Sequence, residues 1–150
     1  SIKKGEFLNG TNMVFSRKIL KDMNGFNTVL GMNGSRVGYG EETELQMRLD
    51  KNNIPIYYVP NIKVKHLIAN HKQSFTWILA DSFSRGRSQS KFVSRTLIQV
   101  THNLAINSIK GIYHLFQNKK NDKYLQQRLL NLIQPICSTA GYIWGRVRKY

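Results

Sequence analysis

The sequence predicts a mixed α/β fold followed by a basic helical region, and three observations support this prediction. Runs rich in β-branched and aromatic residues occupy positions 7–15, 54–59 and 62–67. From about Ser74 onwards, apolar residues recur at spacings of three and four, as on one face of a helix. Residues 81–150 hold twelve Lys/Arg against two Asp/Glu, whereas residues 1–80 hold eleven against six.

The first half is predicted to alternate strands, helices and loops. A strand over 7–15 is followed by a helix that begins after Ser16 and stops at Gly25. A glycine-rich loop covers 27–40, and a helix is expected over Glu41–Lys51. Two short strands then flank Pro60. The predicted domains are 1–92, which carries this α/β part, and 93–150.

The second half is predicted to be helical. Residues 88–117 have helical spacing that Gly111 weakens, and a polar break follows at 119–122. The last helix is expected to bend near Pro135. Its apolar stripe consists of Leu125, Leu129, Leu132, Ile136, Ala140, Ile143 and Val147.

Charge and cysteine content restrict the class of protein. The formal net charge of +15 indicates an anionic partner, such as lipid head groups, a diphosphate or nucleic acid. The single cysteine, Cys137, excludes an intramolecular disulfide and fits a reducing compartment. The sequence contains no run of 18 apolar residues.

An acidic pair, Glu41 and Glu42, follows the glycine-rich loop and opens the predicted helix. A carboxylate at a junction between a loop and a helix is well placed to act as a general base for a bound substrate. The alternative is that both acids only complement the positive end of the helix dipole.

Several further motifs surround this acidic pair in a fixed order. They are Asn12-Met13-Val14-Phe15, Gly25-Phe26-Asn27, Gly40-Glu41-Glu42-Thr43-Glu44-Leu45, Arg48-Leu49, Tyr57-Tyr58-Val59-Pro60 and Val64-Lys65-His66. In these motifs, over roughly residues 8–92, the chain resembles the acceptor-side half of family 2 glycosyltransferases, which are inverting enzymes of GT-A fold. Two positions depart from the family pattern, because Glu42 and Asn27 stand where the family usually has aspartate.

The resemblance implies transfer of a sugar from a nucleotide-sugar donor to a saccharide or lipid-linked acceptor hydroxyl, with inversion. Glu42 would be the catalytic base, and Glu41 would orient the acceptor or the loop. The family's donor-binding half carries an Asp-x-Asp motif that this sequence lacks. The chain is therefore expected to be the C-terminal portion of a longer enzyme and to be inert alone.

The resemblance also implies a divalent metal, Mn²⁺ or Mg²⁺, in the full-length enzyme. His66 would complete that metal site, although a strand-end histidine bonded to backbone is an equal alternative. The fragment alone is not expected to hold a metal, since one histidine provides too few ligands.

Four further residues are candidates for substrate binding. Tyr39 and Gly40 would belong to an acceptor loop, where a tyrosine could stack on a sugar ring. Arg85 and Arg87 would bind the leaving diphosphate through guanidinium hydrogen bonds. The alternatives are a glycine-rich surface loop without that role and a solvated basic turn.

The C-terminal stripe ends in aromatic residues beside cations, namely Tyr142, Trp144, Arg146, Arg148 and Lys149. This composition suits an anionic membrane surface, and the alternative is an ordinary packing helix with a basic tail. The predicted location is the cytoplasm, and a further hypothesis is peripheral attachment to the inner face of the cell membrane. The biological context that the family implies is bacterial polysaccharide synthesis. The rival functions are a nucleic-acid-binding module, which the lack of a recognisable nucleic-acid motif disfavours, and a non-catalytic membrane-docking module.

Overall fold

The computed structural model describes residues 1–32, 34, 37–116 and 125–148. These residues form five α-helices and two short 3₁₀ turns, at Gly10–Asn12 and Asn70–Gln73. The α-helices are α1 (Arg17–Asp22), α2 (Glu41–Lys51), α3 (Phe75–Gln89), α4 (Leu97–Phe116) and α5 (Leu125–Val147). No β-strand is found in this part of the chain.

The predicted mixed α/β, GT-A-like fold is therefore wrong, since none of the three expected strands forms among the described residues. A strand requires a neighbour that completes its ladder of hydrogen bonds. Here the Ile2 N–H donates to the Ile56 carbonyl at 2.8 Å, and the Asn12 amide donates to the Ile62 carbonyl at 3.0 Å, but no ladder follows. High β-propensity in these segments is not enough without that partner.

The chain divides into two compact units. Unit 1 comprises Ser1–Gly31 and Gly40–Leu67, and unit 2 comprises Met32–Tyr39 and Ile68–Tyr150. The division predicted between residues 92 and 93 follows the extent of the family resemblance and the change to a basic helical pattern, whereas this division follows the contacts within the fold.

In unit 1, helix α1 begins after Ser16 as predicted, but it ends at Asp22, two residues before the predicted end near Asn24. The Ser16 hydroxyl accepts a hydrogen bond from the Ile19 N–H at 3.1 Å, which caps the first turn. Gly25 has a φ of +67° and donates its N–H to the Leu20 carbonyl at 2.7 Å, which closes the helix. Helix α2 also has its predicted bounds, and it buries Leu45 and Leu49.

Gln46 on α2 is completely buried and replaces the missing strand partner of Leu8. Its Oε1 accepts from the Leu8 N–H at 2.7 Å, and its Nε2 donates to the Leu8 carbonyl at 2.9 Å. One side-chain amide thus satisfies both backbone groups of a residue in the first predicted strand.

We expect Gln46→Leu to lower the free energy of unfolding by about 1–3 kcal/mol, because it leaves the Leu8 backbone groups unpaired in a partly buried position. Chemical denaturation measures this change. Gln126→Leu, at an exposed position of α5, is the matched control and should be close to neutral. A Gln46→Leu protein as stable as the wild type would contradict the role of this amide.

In unit 2, α3 and α4 both pack against α5, and small residues allow the close approach. A Cβ atom added at Gly86 would overlap the Ser138 carbonyl, and one added at Gly141 would overlap the Phe83 carbonyl. A Cβ at Gly111 of α4 would lie 2.8 Å from the Leu132 Cα. The helices therefore meet backbone to backbone at glycines.

The helix predicted over 88–117 is only partly correct, because α3 continues to Gln89 and α4 begins at Leu97. A capping box starts α4: the Thr96 N–H donates to Gln99 Oε1 at 2.9 Å, and the Gln99 N–H donates to Thr96 Oγ1 at 3.2 Å. Helix α5 continues through Pro135. The polar break predicted at 119–122 lies outside the described residues.

Candidate functional site

The N-terminus of α2 carries the acidic pair. Gly40 precedes the helix with a φ of +99°, a left-handed conformation that favours glycine, and it provides no side-chain cap. Glu41, Glu42 and Glu44 occupy the first turn, where the helix dipole favours negative charge. Glu44 is paired with Arg48 through two 2.8 Å hydrogen bonds, so Glu41 and Glu42 remain as the candidates for chemistry.

Glu41 is held against the backbone of Gly31. A Cβ added at Gly31 would lie 2.9 Å from the Glu41 carboxyl carbon, and Gly31 itself has a φ of +76°. The Glu41 Oε2 atom is buried and has no hydrogen-bond partner among the described residues. A buried carboxylate oxygen without a donor is costly, so this atom requires a hydrogen-bond donor beyond those that the described residues provide.

Glu42 packs over Gly10, whose added Cβ would overlap the Glu42 carboxylate. Its backbone carbonyl accepts from Gln46 Nε2 at 3.2 Å, within the same helix. Glu42 is half-buried. Gly10 and Gly31 thus give both carboxylates of the pair a fixed backbone surface to rest on.

Tyr39 and Arg85 come together in unit 2, around Asp81. The Tyr39 hydroxyl donates to Asp81 Oδ1, and Arg85 Nε donates to Asp81 Oδ2 at 2.6 Å. The Arg85 guanidinium lies 4.4 Å from the centre of the Tyr39 ring, a cation–π distance. The Arg85 side chain keeps 57% of its surface exposed, so the guanidinium is open to an anionic ligand.

The segment around Tyr39 is further attached to α3. The Tyr39 N–H donates to Ser88 Oγ at 3.1 Å, and Arg87 Nη2 donates to the Val37 carbonyl at 2.8 Å. Arg87 and Arg85 therefore each have a structural partner, whatever else they bind. Residues 37–39 are held on α3 by these contacts.

Burial raises the pKa of Tyr39 to about 12, the hydrogen bond to Asp81 and its charge add to this effect, and Arg85 opposes it. Because the pKa of Tyr39 in the folded protein exceeds the ordinary tyrosine value of 10.0, the stabilisation is complete below pH 10 and is lost as pH rises through about 12. We expect wild type to be more stable than Tyr39→Phe below pH 10, with the difference disappearing by about pH 12. Denaturant midpoints of both proteins across this range test it. A difference that does not change with pH would contradict it.

His66 lies in an irregular segment of unit 1 and is exposed. No group of three or more His, Cys, Asp or Glu side chains suited to a metal occurs among the described residues. The donor set present around His66 thus does not fit the implied divalent ion, because one histidine cannot hold it. The ligand role of His66 in a full-length enzyme stays a prediction.

An open cleft of about 610 Å³ lies within unit 1, between the segments that were predicted to be strands. Leu8, Phe15, Leu49, Ile56 and Ile62 are among its lining residues, and the lining is mostly apolar. Neither Glu41 nor Glu42 lines it. The cleft is therefore an apolar feature separate from the acidic pair.

Sequence reasoning missed the residues that position the candidates. Gly10 and Gly31 support the acids, and Asp81 joins Tyr39 to Arg85. The i, i+4 spacing of Asp81 and Arg85 on a predicted helix was an available signal. The contacts of the glycines join residues far apart in sequence, and no local pattern predicts them.

Comparison with protein-family models, curated proteins and solved structures gives no match for this chain. Within the described residues, none of the helices has both the length and the apolar character needed to cross a membrane. The resemblance to family 2 glycosyltransferases therefore rests on the quoted motifs alone.

Proposed function

We propose that this chain provides the acceptor-side acids of an inverting glycosyltransferase. The observation that carries the proposal is the acidic pair at the start of α2, in which Glu41 keeps a buried oxygen that receives no hydrogen bond from the described residues. A sugar hydroxyl is an O–H donor of the kind that this oxygen lacks. The resemblance independently selects the same two residues.

In the proposed reaction, Glu41 accepts a hydrogen bond from the acceptor saccharide and orients it. Glu42 takes the proton of the attacking hydroxyl while that oxygen bonds to the anomeric carbon of the donor sugar. The bond from the anomeric carbon to the diphosphate breaks, and the nucleoside diphosphate leaves with the electron pair. The role of Arg85 toward a diphosphate stays a separate prediction about unit 2, where its guanidinium is exposed beside Tyr39.

The test is a sugar-transfer assay with a protein that joins these residues to a donor-binding region. Radiolabelled nucleotide-sugars are combined with saccharide and lipid-linked acceptors, and the anomeric configuration of the product is determined. Transfer with inversion that depends on Glu42 supports the proposal. Transfer with retention, or transfer indifferent to Glu42, contradicts it. A cytoplasmic location beside the inner face of the cell membrane is part of the proposal, because a lipid-linked acceptor would lie there.

A further inference from the structure

We propose that α4 and α5 together present one apolar face that docks on an anionic lipid bilayer. The inference is independent of the glycosyltransferase proposal, because it rests on unit 2 alone. It follows from which helix faces are buried, which are exposed, and how charge is distributed around them.

Helix α5 packs with its small and polar face and leaves its apolar stripe exposed. Ser138, Gly141 and Gly145 meet α3, and Tyr142 is buried with its hydroxyl bonded to the Val93 carbonyl. The opposite stripe is open to solvent: the exposed fractions are 53% for Leu125, 37% for Leu129, 46% for Ile136, 48% for Ile143 and 77% for Val147. Most of the stripe predicted from the sequence thus does not pack on α3, although Leu132 of that stripe contacts Gly111 of α4.

Helix α4 shows the same arrangement. Val100 and Gly111 are buried, and Leu104, Ser108 and Leu115 share their side of the helix, toward α5. A second apolar row points to solvent, consisting of Ile98, Ile109, Ile112 and Phe116, and Ile109 and Phe116 are 65% and 82% exposed. Helix α4 is therefore apolar on two sides, and its packing in unit 2 covers one of them.

The two exposed rows lie on the same side of the helix pair. Gly111 meets Leu132, and Arg128 donates to the Leu115 carbonyl at 3.3 Å, so α4 and α5 run antiparallel. Successive residues of a helix are 100° apart around its axis. On each helix, the exposed row is therefore rotated by about a third of a turn from the side that contacts the other helix. The rotation has the same direction on both helices when each is viewed from its own N-terminus. In an antiparallel pair, offsets of that kind bring both rows to one face. We call this surface the α4/α5 face.

Cations and an aromatic residue lie at one end of the α4/α5 face. The Arg148 guanidinium is 4.1 Å from the centre of the Trp144 ring, and Arg146 is exposed in the last turn of the same helix. Trp144 is 43% exposed. Tryptophan next to cations is typical of the head-group level of a membrane, where the ring is half apolar and the cations meet phosphate. Lys149, also expected here, lies outside the described residues.

The charge balance selects the partner. Among the described residues of unit 2, Asp81 is the single acid, and it is paired with Arg85. A second copy of this chain would bring two strongly positive surfaces together, which opposes dimer formation through this face. Nucleic acid would satisfy the cations but not the apolar rows. An anionic bilayer satisfies both.

The test uses residues 1–150 with Trp77→Phe, which leaves Trp144 as the only tryptophan. Binding to phosphatidylglycerol vesicles and to phosphatidylcholine vesicles is measured by co-sedimentation and by the emission wavelength of Trp144. We expect preferential binding to phosphatidylglycerol, a blue shift of Trp144, and weaker binding as salt increases.

Two paired variants separate the apolar and charged contributions. Ile109→Gln with Ile143→Gln should lower affinity at least about tenfold, including at high salt. Arg146→Gln with Arg148→Gln should lower it about fivefold per cation at low salt and little at high salt. Each variant has a matched control at exposed positions of unit 1. Val14→Gln with Leu67→Gln changes two apolar residues, and Lys18→Gln with Lys63→Gln changes two cations. Both controls should leave binding unchanged.

Four results would overturn the proposal. Equal binding to both vesicle types would remove the anionic preference. Vesicle binding that survives Ile109→Gln with Ile143→Gln would place the contact elsewhere. If the protein self-associates without lipid and Ile109→Gln with Ile143→Gln abolishes that association, the surface binds a second copy. If the protein binds DNA tightly and does not bind vesicles, the surface binds nucleic acid.

Discussion

Glu42→Gln is expected to reduce the turnover of sugar transfer by about 10² to 10⁴, the usual effect of removing a general base. The amide keeps the shape of the side chain over Gly10 but cannot accept the proton of the attacking hydroxyl. Donor binding should change little, because the proposed role of Glu42 is confined to the acceptor proton. Steady-state turnover together with donor affinity, in a protein that carries a donor-binding region, measures both quantities.

Two matched changes make this experiment specific. Glu42→Asp keeps a carboxylate, and aspartate is the residue that the resembled family usually has, so turnover should stay well above that of Glu42→Gln. Glu44→Gln lies in the same helical turn and weakens only the pair with Arg48, so it should affect stability and not the chemical step. Wild-type turnover in Glu42→Gln would remove Glu42 from the role of base.

Glu41→Gln distinguishes the two acids within the same assay. Because Glu41 Oε2 is buried and receives no hydrogen bond from the described residues, its proposed contribution is to hold the acceptor. The expected result is therefore a raised acceptor KM with a smaller change in turnover. A large loss of turnover at unchanged KM would exchange the roles of Glu41 and Glu42.

Gly141→Ala is expected to lower the free energy of unfolding by about 1–3 kcal/mol, and Gly141→Leu by more. On an exposed helix surface, Gly→Ala stabilises by roughly 1 kcal/mol. Here the sign is reversed because the new Cβ would overlap the Phe83 carbonyl, and backbone atoms of α3 cannot rotate away as a side chain can. Guanidinium denaturation followed by circular dichroism measures the loss.

Ala140→Leu provides the control for this prediction. Ala140 is the neighbour of Gly141 on α5 and is exposed, so the same large side chain should be tolerated there with little change. The contrast between neighbouring positions isolates the helix crossing from helix propensity. Equal stability of the two leucine variants would contradict the close approach of α3 and α5.

Local signals in the sequence were enough for several helix ends. Ser16 and Gly25 bound α1, and Ser74 caps α3, because a cap is formed by residues within a few positions of the helix end. The bounds of α2 and the position of the acidic pair at its start also followed from the sequence alone. The Thr96–Gln99 capping box was an available local signal that the helix prediction over 88–117 overlooked.

Features that depend on contacts between residues distant in sequence were decided by the tertiary structure. The β-rich runs do not form strands in the described residues, since a strand depends on a distant neighbour, and Leu8 is paired by a side chain from α2 instead. The apolar stripe of α5 was correctly located in sequence, but its periodicity only marks an apolar face and does not say what covers it. Gly86 and Gly141 permit the closest backbone contact, so α3 packs on the small-residue face and the apolar stripe stays exposed.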